Sequence, residues 1–141
     1  MMMTRPRDIV LVVDDRAETL ALLTDAIEAA GLTVLVAAEG ARALDLVERV
    51  TPDIVLMDAV MPGMDGFETC QRLKTRPHLA HVPVIFMTGL AETEHVVRGF
   101  AAGGVDYVPK PIVPDELIAR IRTHLANARL AQSARAALDA T

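Results

Sequence analysis

The stretch Ile54-Val-Leu-Met-Asp58-Ala-Val-Met-Pro62-Gly63-Met-Asp65-Gly66 decides the fold. Its opening apolar run, Ile54 to Met57, predicts a strand buried on both faces, as in the middle of a parallel sheet. The run stops at Asp58, and Pro62-Gly63 then turns the chain. A carboxylate at the carboxyl end of a central parallel strand stands where open α/β sheets place their ligands. An Asp can also cap a strand for structural reasons alone. The choice therefore rests on which other polar groups reach the same edge.

Outward from this stretch, the chain alternates apolar strands with amphipathic helices. Ile9–Val13 is a strand closed by Asp14-Asp15, and Arg16–Ala30 carries Leu20, Leu23, Ile27 and Ala30 at helical spacing. Gly31 ends that helix, and Leu32–Ala37 is the second strand. Glu39–Val50 is a helix with Leu44 and Val47 inward, stopped by Pro52. After Asp58 a loop leads to a helix near Asp65, with Phe67, Cys70 and Leu73 on its inner face. A loop over Arg76–His81 precedes the fourth strand, Val82–Met87, which ends at Thr88-Gly89. A helix from about Ala91 to Ala102 is expected to pack Val96, Val97 and Phe100, until Gly103-Gly104 stops it. Val105–Val108 is the fifth strand, followed by Pro109-Lys110-Pro111, and a helix runs from Asp115 to Leu138.

Strict strand–helix alternation predicts an α/β fold, a doubly wound parallel sheet of five strands with helices on both faces. Right-handed crossovers leave few topologies, and the flavodoxin-like order 2-1-3-4-5 suits 141 residues. In that order the first and third strands are neighbours at the switch point, bringing Asp14, Asp15 and Asp58 together. Thr88 and Lys110 end the next two strands.

Composition narrows the function. A 52% hydrophobic chain with 3% aromatics forms a globular domain with an aliphatic core. A net charge of -5 argues against broad nucleic-acid or anionic-membrane binding. No apolar run is long enough to span a membrane, and Met1–Arg7 has no apolar core of a secretory signal. The lone Cys70 cannot make an internal disulfide. A soluble cytoplasmic protein is expected, with residues 1–7 a disordered or tag-like start.

Three carboxylates at one edge repel each other by about 4 kcal/mol per pair at 4 Å near a surface. A hard divalent cation relieves this without loss of charge. Mg²⁺ suits such a site, because it takes oxygen ligands and binds through one or two carboxylates plus a phosphate. Lys110 adds a mobile positive charge, and the Thr88 hydroxyl can donate to an incoming oxygen. The set fits phosphoryl transfer to Asp58, since carboxylates form acyl phosphates.

These landmarks resemble the receiver domain of bacterial two-component response regulators, over roughly Ile9–Leu125. The acidic pair is Asp14-Asp15; the acceptor is Asp58, followed by Met61-Pro-Gly-Met-Asp-Gly66; the switch hydroxyl is Thr88; the switch aromatic is Tyr107; the basic residue is Lys110, before Pro111. The resemblance implies a phosphoryl group taken from a histidine kinase. It implies Mg²⁺, or Mn²⁺ in its place, held by Asp15, Asp58 and the Val60 carbonyl, with Asp14 acting through water. It also implies a cis Lys110–Pro111 bond and movement of Thr88 and Tyr107 that reshapes the face of the fourth helix, fifth strand and fifth helix. Family members carry polar residues at the positions of Val60 and Leu90, where they orient the hydrolytic water. Two apolar side chains here imply a long-lived phosphoryl group.

Competing readings are weaker on the residues. A flavodoxin-like electron carrier needs a phosphate-cradling loop after the first strand, where this chain has Asp14-Asp15. The P-loop motif is absent. A haloacid-dehalogenase-like phosphatase expects Asp-x-Asp, and these acids are adjacent. A pseudo-receiver or a stand-alone receiver acting only by protein contact is the more serious alternative, but a pseudo-receiver is expected to lose an acid, the acceptor or the lysine. His78 and His81 have no zinc-like spacing, and His95 and His124 are expected on exposed helix faces. Residues 8–127 are read as the receiver. Residues 128–141, with Leu130, Ala134 and Leu138 in one seam, are read as an extended helix linking to an output domain, with DNA binding foremost. A homodimer through that helix or the switch face is a further expectation.

Overall fold

The computed structural model describes residues 8–89 and 93–140. The expected disordered start, the Leu90 side chain and the first residues of the fourth helix lie outside the described residues. Five strands run in the order β1 (Ile9–Val13), β2 (Thr33–Ala37), β3 (Ile54–Asp58), β4 (Val84–Thr88) and β5 (Asp106–Pro109). All pair in parallel, and their order across the sheet is β2-β1-β3-β4-β5. The helices between them are α1 (Ala17–Ala29), α2 (Gly40–Leu46), α3 (Gly66–Lys74), α4 (Thr93–Ala101) and α5 (Pro114–Asp139).

The sheet sorts its side chains by the two-residue period of a strand. Val10, Val12, Ile54, Leu56, Ile85 and Met87 point to the side covered by α1 and α5, where Leu23, Ile27, Leu117 and Ile121 meet them. Leu11, Val13, Val55, Met57 and Phe86 point to the other side, under α2 and α3, where Ala43, Phe67, Cys70 and Leu73 meet them. Every residue of β3 is buried, and each large aliphatic side chain so enclosed contributes roughly 1.5–3 kcal/mol. This centre holds the Asp58 end of the strand in place.

Several expected boundaries move for identifiable reasons. α2 ends at Leu46, short of the expected Val50. Its continuation is a looser turn in which Glu48 and Arg49 donate to carbonyls three residues back, ahead of the β-branched Val50-Thr51 and Pro52. β4 starts at Val84, because Pro83 has no N–H for a ladder and supplies only its carbonyl, to Val55 N at 3.0 Å. The expected loop over Arg76–His81 contains a single 3-10 turn, Pro77–Leu79.

The inward face expected for α4 is a larger correction. Val97 and Phe100 are 59% and 51% exposed. The buried residue of α4 is Gly99, where an added Cβ would lie 3.1 Å from the Phe86 ring. The helix backbone therefore approaches the sheet directly, and the large apolar side chains on either side of Gly99 turn outward. Val96 is half-buried.

Candidate functional site

The carboxyl ends of β1, β3, β4 and β5 form one rim. Asp14 follows β1 and is fully buried. Its backbone N–H donates to the Ala37 carbonyl at 3.1 Å. One of its carboxylate oxygens accepts from Arg16 N at 2.8 Å, and the other from Lys110 Nζ at 3.0 Å. Asp58 ends β3 at 4% exposure. Its Oδ1 lies 3.3 Å from Lys110 Nζ and accepts from Val60 N at 3.3 Å. Asp15 is exposed, yet ligand oxygens of Asp14, Asp15 and Asp58 all lie within 4.8 Å of one another. The structure thus brings these three acids and Lys110 together.

Local sequence explains the geometry around Asp58. Gly66 opens α3 directly behind it, and a Cβ at Gly66 would lie 2.0 Å from the Asp58 carbonyl oxygen. Only glycine lets α3 start so close to the strand end. Asp65 caps that helix by accepting from Glu68 N at 2.9 Å. Gly66 N also donates to the Ala59 carbonyl, which closes the Met-Pro-Gly-Met turn. Lys110 is carried into reach at the end of β5, where its N–H donates to the Thr88 carbonyl at 2.8 Å. The Lys110–Pro111 peptide that follows is cis.

Thr88 is buried at the end of β4, and Tyr107 is half-buried in β5. Both line a small void behind the rim, with Phe67, Phe86, His95 and Phe100. Val60 projects 58% exposed beside the rim. An open cleft of about 660 Å³ lies over the site, between Asp15, Arg16, Asp58, Met61, Gly89 and Lys110.

The electrostatics follow from burial and crowding. Burial first, and the neighbouring Asp14 charge second, push Asp58 up to about 6; Lys110 and the Val60 N–H pull against them. One lysine reaches two of the three carboxylates, so the rim keeps a net negative charge. Oxygen donors of this number and closeness, incompletely neutralised, fit a hard divalent cation.

Some side-chain placements were missed from sequence. Arg16 lines the cleft and pairs with no carboxylate among the described residues; its signal was an arginine directly after the acidic pair. His95 and His124 are not on exposed faces. His95 packs edge-on against Phe67, at 5.9 Å between centroids. His124 Nε2 lies 2.9 Å from Asp106 Oδ2. Their partners lie on other elements, which helical periodicity does not reveal.

Comparison with known proteins agrees with this geometry. The family model described as response regulator receiver domain matches residues 10–122. The DNA-binding response regulator MtrA of Mycobacterium tuberculosis is 38% identical over 119 residues, covering 84% of this chain and 51% of MtrA. Response regulator PleD of Caulobacter vibrioides is 40% identical over 114 residues, covering 81% of this chain and 25% of PleD. The chain thus spans about half the length of one relative and a quarter of the other. A crystal structure of a CheY-like response regulator receiver domain protein from Methanospirillum hungatei superposes with a TM-score of 0.81 at 29% identity, over 88% of this chain and 98% of that one. No helix among the described residues is long and apolar enough to cross a membrane.

Proposed function

The chain belongs to the response regulator receiver domain family, and from that premise we propose that Asp58 accepts a phosphoryl group from the phosphohistidine of a histidine kinase. The observation that carries the proposal is the convergence of Asp14, Asp15, Asp58 and Lys110 at one rim under an open cleft. Asp58 attacks phosphorus through a carboxylate oxygen; the P–N bond to the kinase imidazole breaks as the O–P bond forms, and the imidazole leaves with the bond's electron pair. Lys110 Nζ, already 3.3 Å from Asp58 Oδ1, moves onto the transferred phosphoryl oxygens, where a positive charge stabilises the transition state more than the ground state. The Thr88 hydroxyl donates to another of those oxygens. Asp15, Asp58 and the Val60 carbonyl would hold Mg²⁺, with Asp14 acting through water. The ion supplies charge neutralisation for the acids and for the phosphoryl oxygens.

The exposed, apolar Val60 side chain offers no hydrogen bond to a hydrolytic water, so the phosphoryl group is expected to be long-lived. Phosphorylation then moves Thr88 and Tyr107 and alters the surface of α4, β5 and α5, where Val97 and Phe100 are already exposed. The domain is a cytoplasmic signalling module, not a stand-alone enzyme. Residues 8–127 form the receiver and residues 128–141 a helical connection to an output. The DNA-binding relative MtrA supports transcription as that output. A homodimer through the switch face or the end of α5 is a further part of the proposal.

The test is incubation with Mg²⁺ and acetyl phosphate, read by intact mass. One phosphoryl group is expected to appear, stable in acid and labile in base, and to be absent in Asp58→Ala and in EDTA. Equal labelling of Asp58→Ala would overturn the assignment.

A further inference from the structure

Behind Thr88 lies the void shared by His95 and Tyr107, and it contains an anomaly. His95 Nδ1 is buried and has no hydrogen-bond partner among the described residues. Native proteins rarely leave such an atom unpaired, because a buried polar group without a partner costs stability. The void has about 10 Å³ for the centre of a water molecule, the lower limit for one, and its walls are mostly the apolar surfaces of Phe67, Phe86, Phe100 and Gly99. The imidazole is held in place by its edge-on contact with Phe67, whose ring also lies under the Arg98 guanidinium at 4.3 Å.

Tyr107 is the one other wall residue whose side chain ends in a hydroxyl on a long, swinging arm. Its backbone is anchored, with Tyr107 N donating to Asp106 Oδ1 at 2.8 Å. Its side chain packs against the core beside the void. The Tyr107 hydroxyl does not donate to His95 Nδ1 in this structure.

We infer that His95 Nδ1 is the internal acceptor for the Tyr107 hydroxyl once Asp58 carries a phosphoryl group. The inference rests on the phosphoacceptor reading given above and adds a positioning residue to it. With its proton on Nε2, the imidazole presents Nδ1 as an acceptor. When Thr88 is drawn toward the phosphoryl group, the void widens on the Tyr107 side, and the tyrosine hydroxyl satisfies the orphaned nitrogen. The resting state bears the cost of the unpaired atom and the phosphorylated state does not, so His95 biases the equilibrium toward the tyrosine position that reaches Nδ1.

Tyr107 is the only tyrosine in the chain, so 3-fluorotyrosine labels it alone and fluorine NMR reads its two positions. The protein is examined with Mg²⁺ alone and with Mg²⁺ plus beryllium fluoride as the phosphoryl mimic, beside acetyl phosphate labelling of the same samples. In the wild-type protein a new resonance is expected with the mimic. His95→Leu fills the space without an acceptor and should lower the ratio of new to old resonance about tenfold, with acetyl phosphate labelling at the wild-type rate. His95→Asn places an acceptor oxygen near the Nδ1 position and should restore the ratio. A wild-type ratio in His95→Leu, or an Asn variant as impaired as the Leu variant, would overturn the inference. Absence of labelling in the wild-type protein would instead overturn the phosphoacceptor reading itself.

Discussion

The two ends of the sheet treat charge in opposite ways. At the amino ends of the strands, charged groups find partners. Arg129 of α5 pairs with Asp8 before β1. Asp53 accepts from Ile9 N at 2.8 Å and returns a bond from its own N–H to the Ile9 carbonyl. Arg76 meets Glu48 at 2.5 Å. At the carboxyl ends, three acids crowd together and one lysine reaches only two of them, which leaves the rim short of positive charge. The first rim fastens the elements together. The second holds the mutual repulsion of its acids, which a bound divalent cation would relieve.

The contrast can be broken most severely at Gly66. A methyl group there must displace the Asp58 carbonyl from 2.0 Å, so Gly66→Ala should cost about 3 kcal/mol or more in denaturant unfolding. A loss under about 1 kcal/mol would mean that the rim is loosely built.

Sharper evidence comes from opposite signs at the two rims. Asp58 has its pKa raised in the folded state, from 3.8 to about 6. Between those values the native protein binds more protons than the unfolded chain, so stability falls as pH rises through the window. In metal-free protein at pH 7, Asp58→Asn should therefore stabilise by roughly 2 kcal/mol, and the gain should shrink as pH falls from about 6 and be gone below 3.8. Asp53→Asn at the other rim keeps an acceptor for Ile9 N but loses the charge that strengthens the bond, and should cost about 1 kcal/mol. Equal signs for the two substitutions would erase the distinction.

A smaller effect is expected at the start of β5. Burial pulls Asp106 upward, but the hydrogen bonds from His124, Arg120 and Tyr107 N outweigh it and hold its pKa below the usual value. A lowered carboxylate pKa gives stability above the unfolded value that is lost as pH falls through the folded one. Asp106→Asn should cost about 1 kcal/mol at pH 7, a cost that shrinks as pH falls through the lowered value of the folded state. Thermal melts across pH measure it.

Much of this was legible in the chain because parallel strands announce themselves. The run Ile54–Met57 has no polar residue to spare for a solvent face, and its termination by Asp58 marks the functional end of the sheet. Asp14, Asp15, Thr88 and Lys110 were found by the same logic, at the ends of other strands. What stayed hidden depends on contacts between elements. Val97 and Phe100 have the spacing of a buried face, and only the close approach of Gly99 to Phe86 turns them outward. His124 reads as a surface residue until Asp106, 18 positions away, is folded beside it. Burial of one nitrogen of His95 is set by a void that four elements build.

The most direct measurement follows the Asp58 carboxyl itself, by carbon NMR of aspartate-labelled protein assigned with Asp58→Asn, titrated with and without Mg²⁺. The account expects a midpoint near 6 in metal-free protein, displaced well downward by Mg²⁺ as the crowded acids gain their missing cation. A midpoint near the ordinary 3.8 that Mg²⁺ leaves unmoved would contradict it.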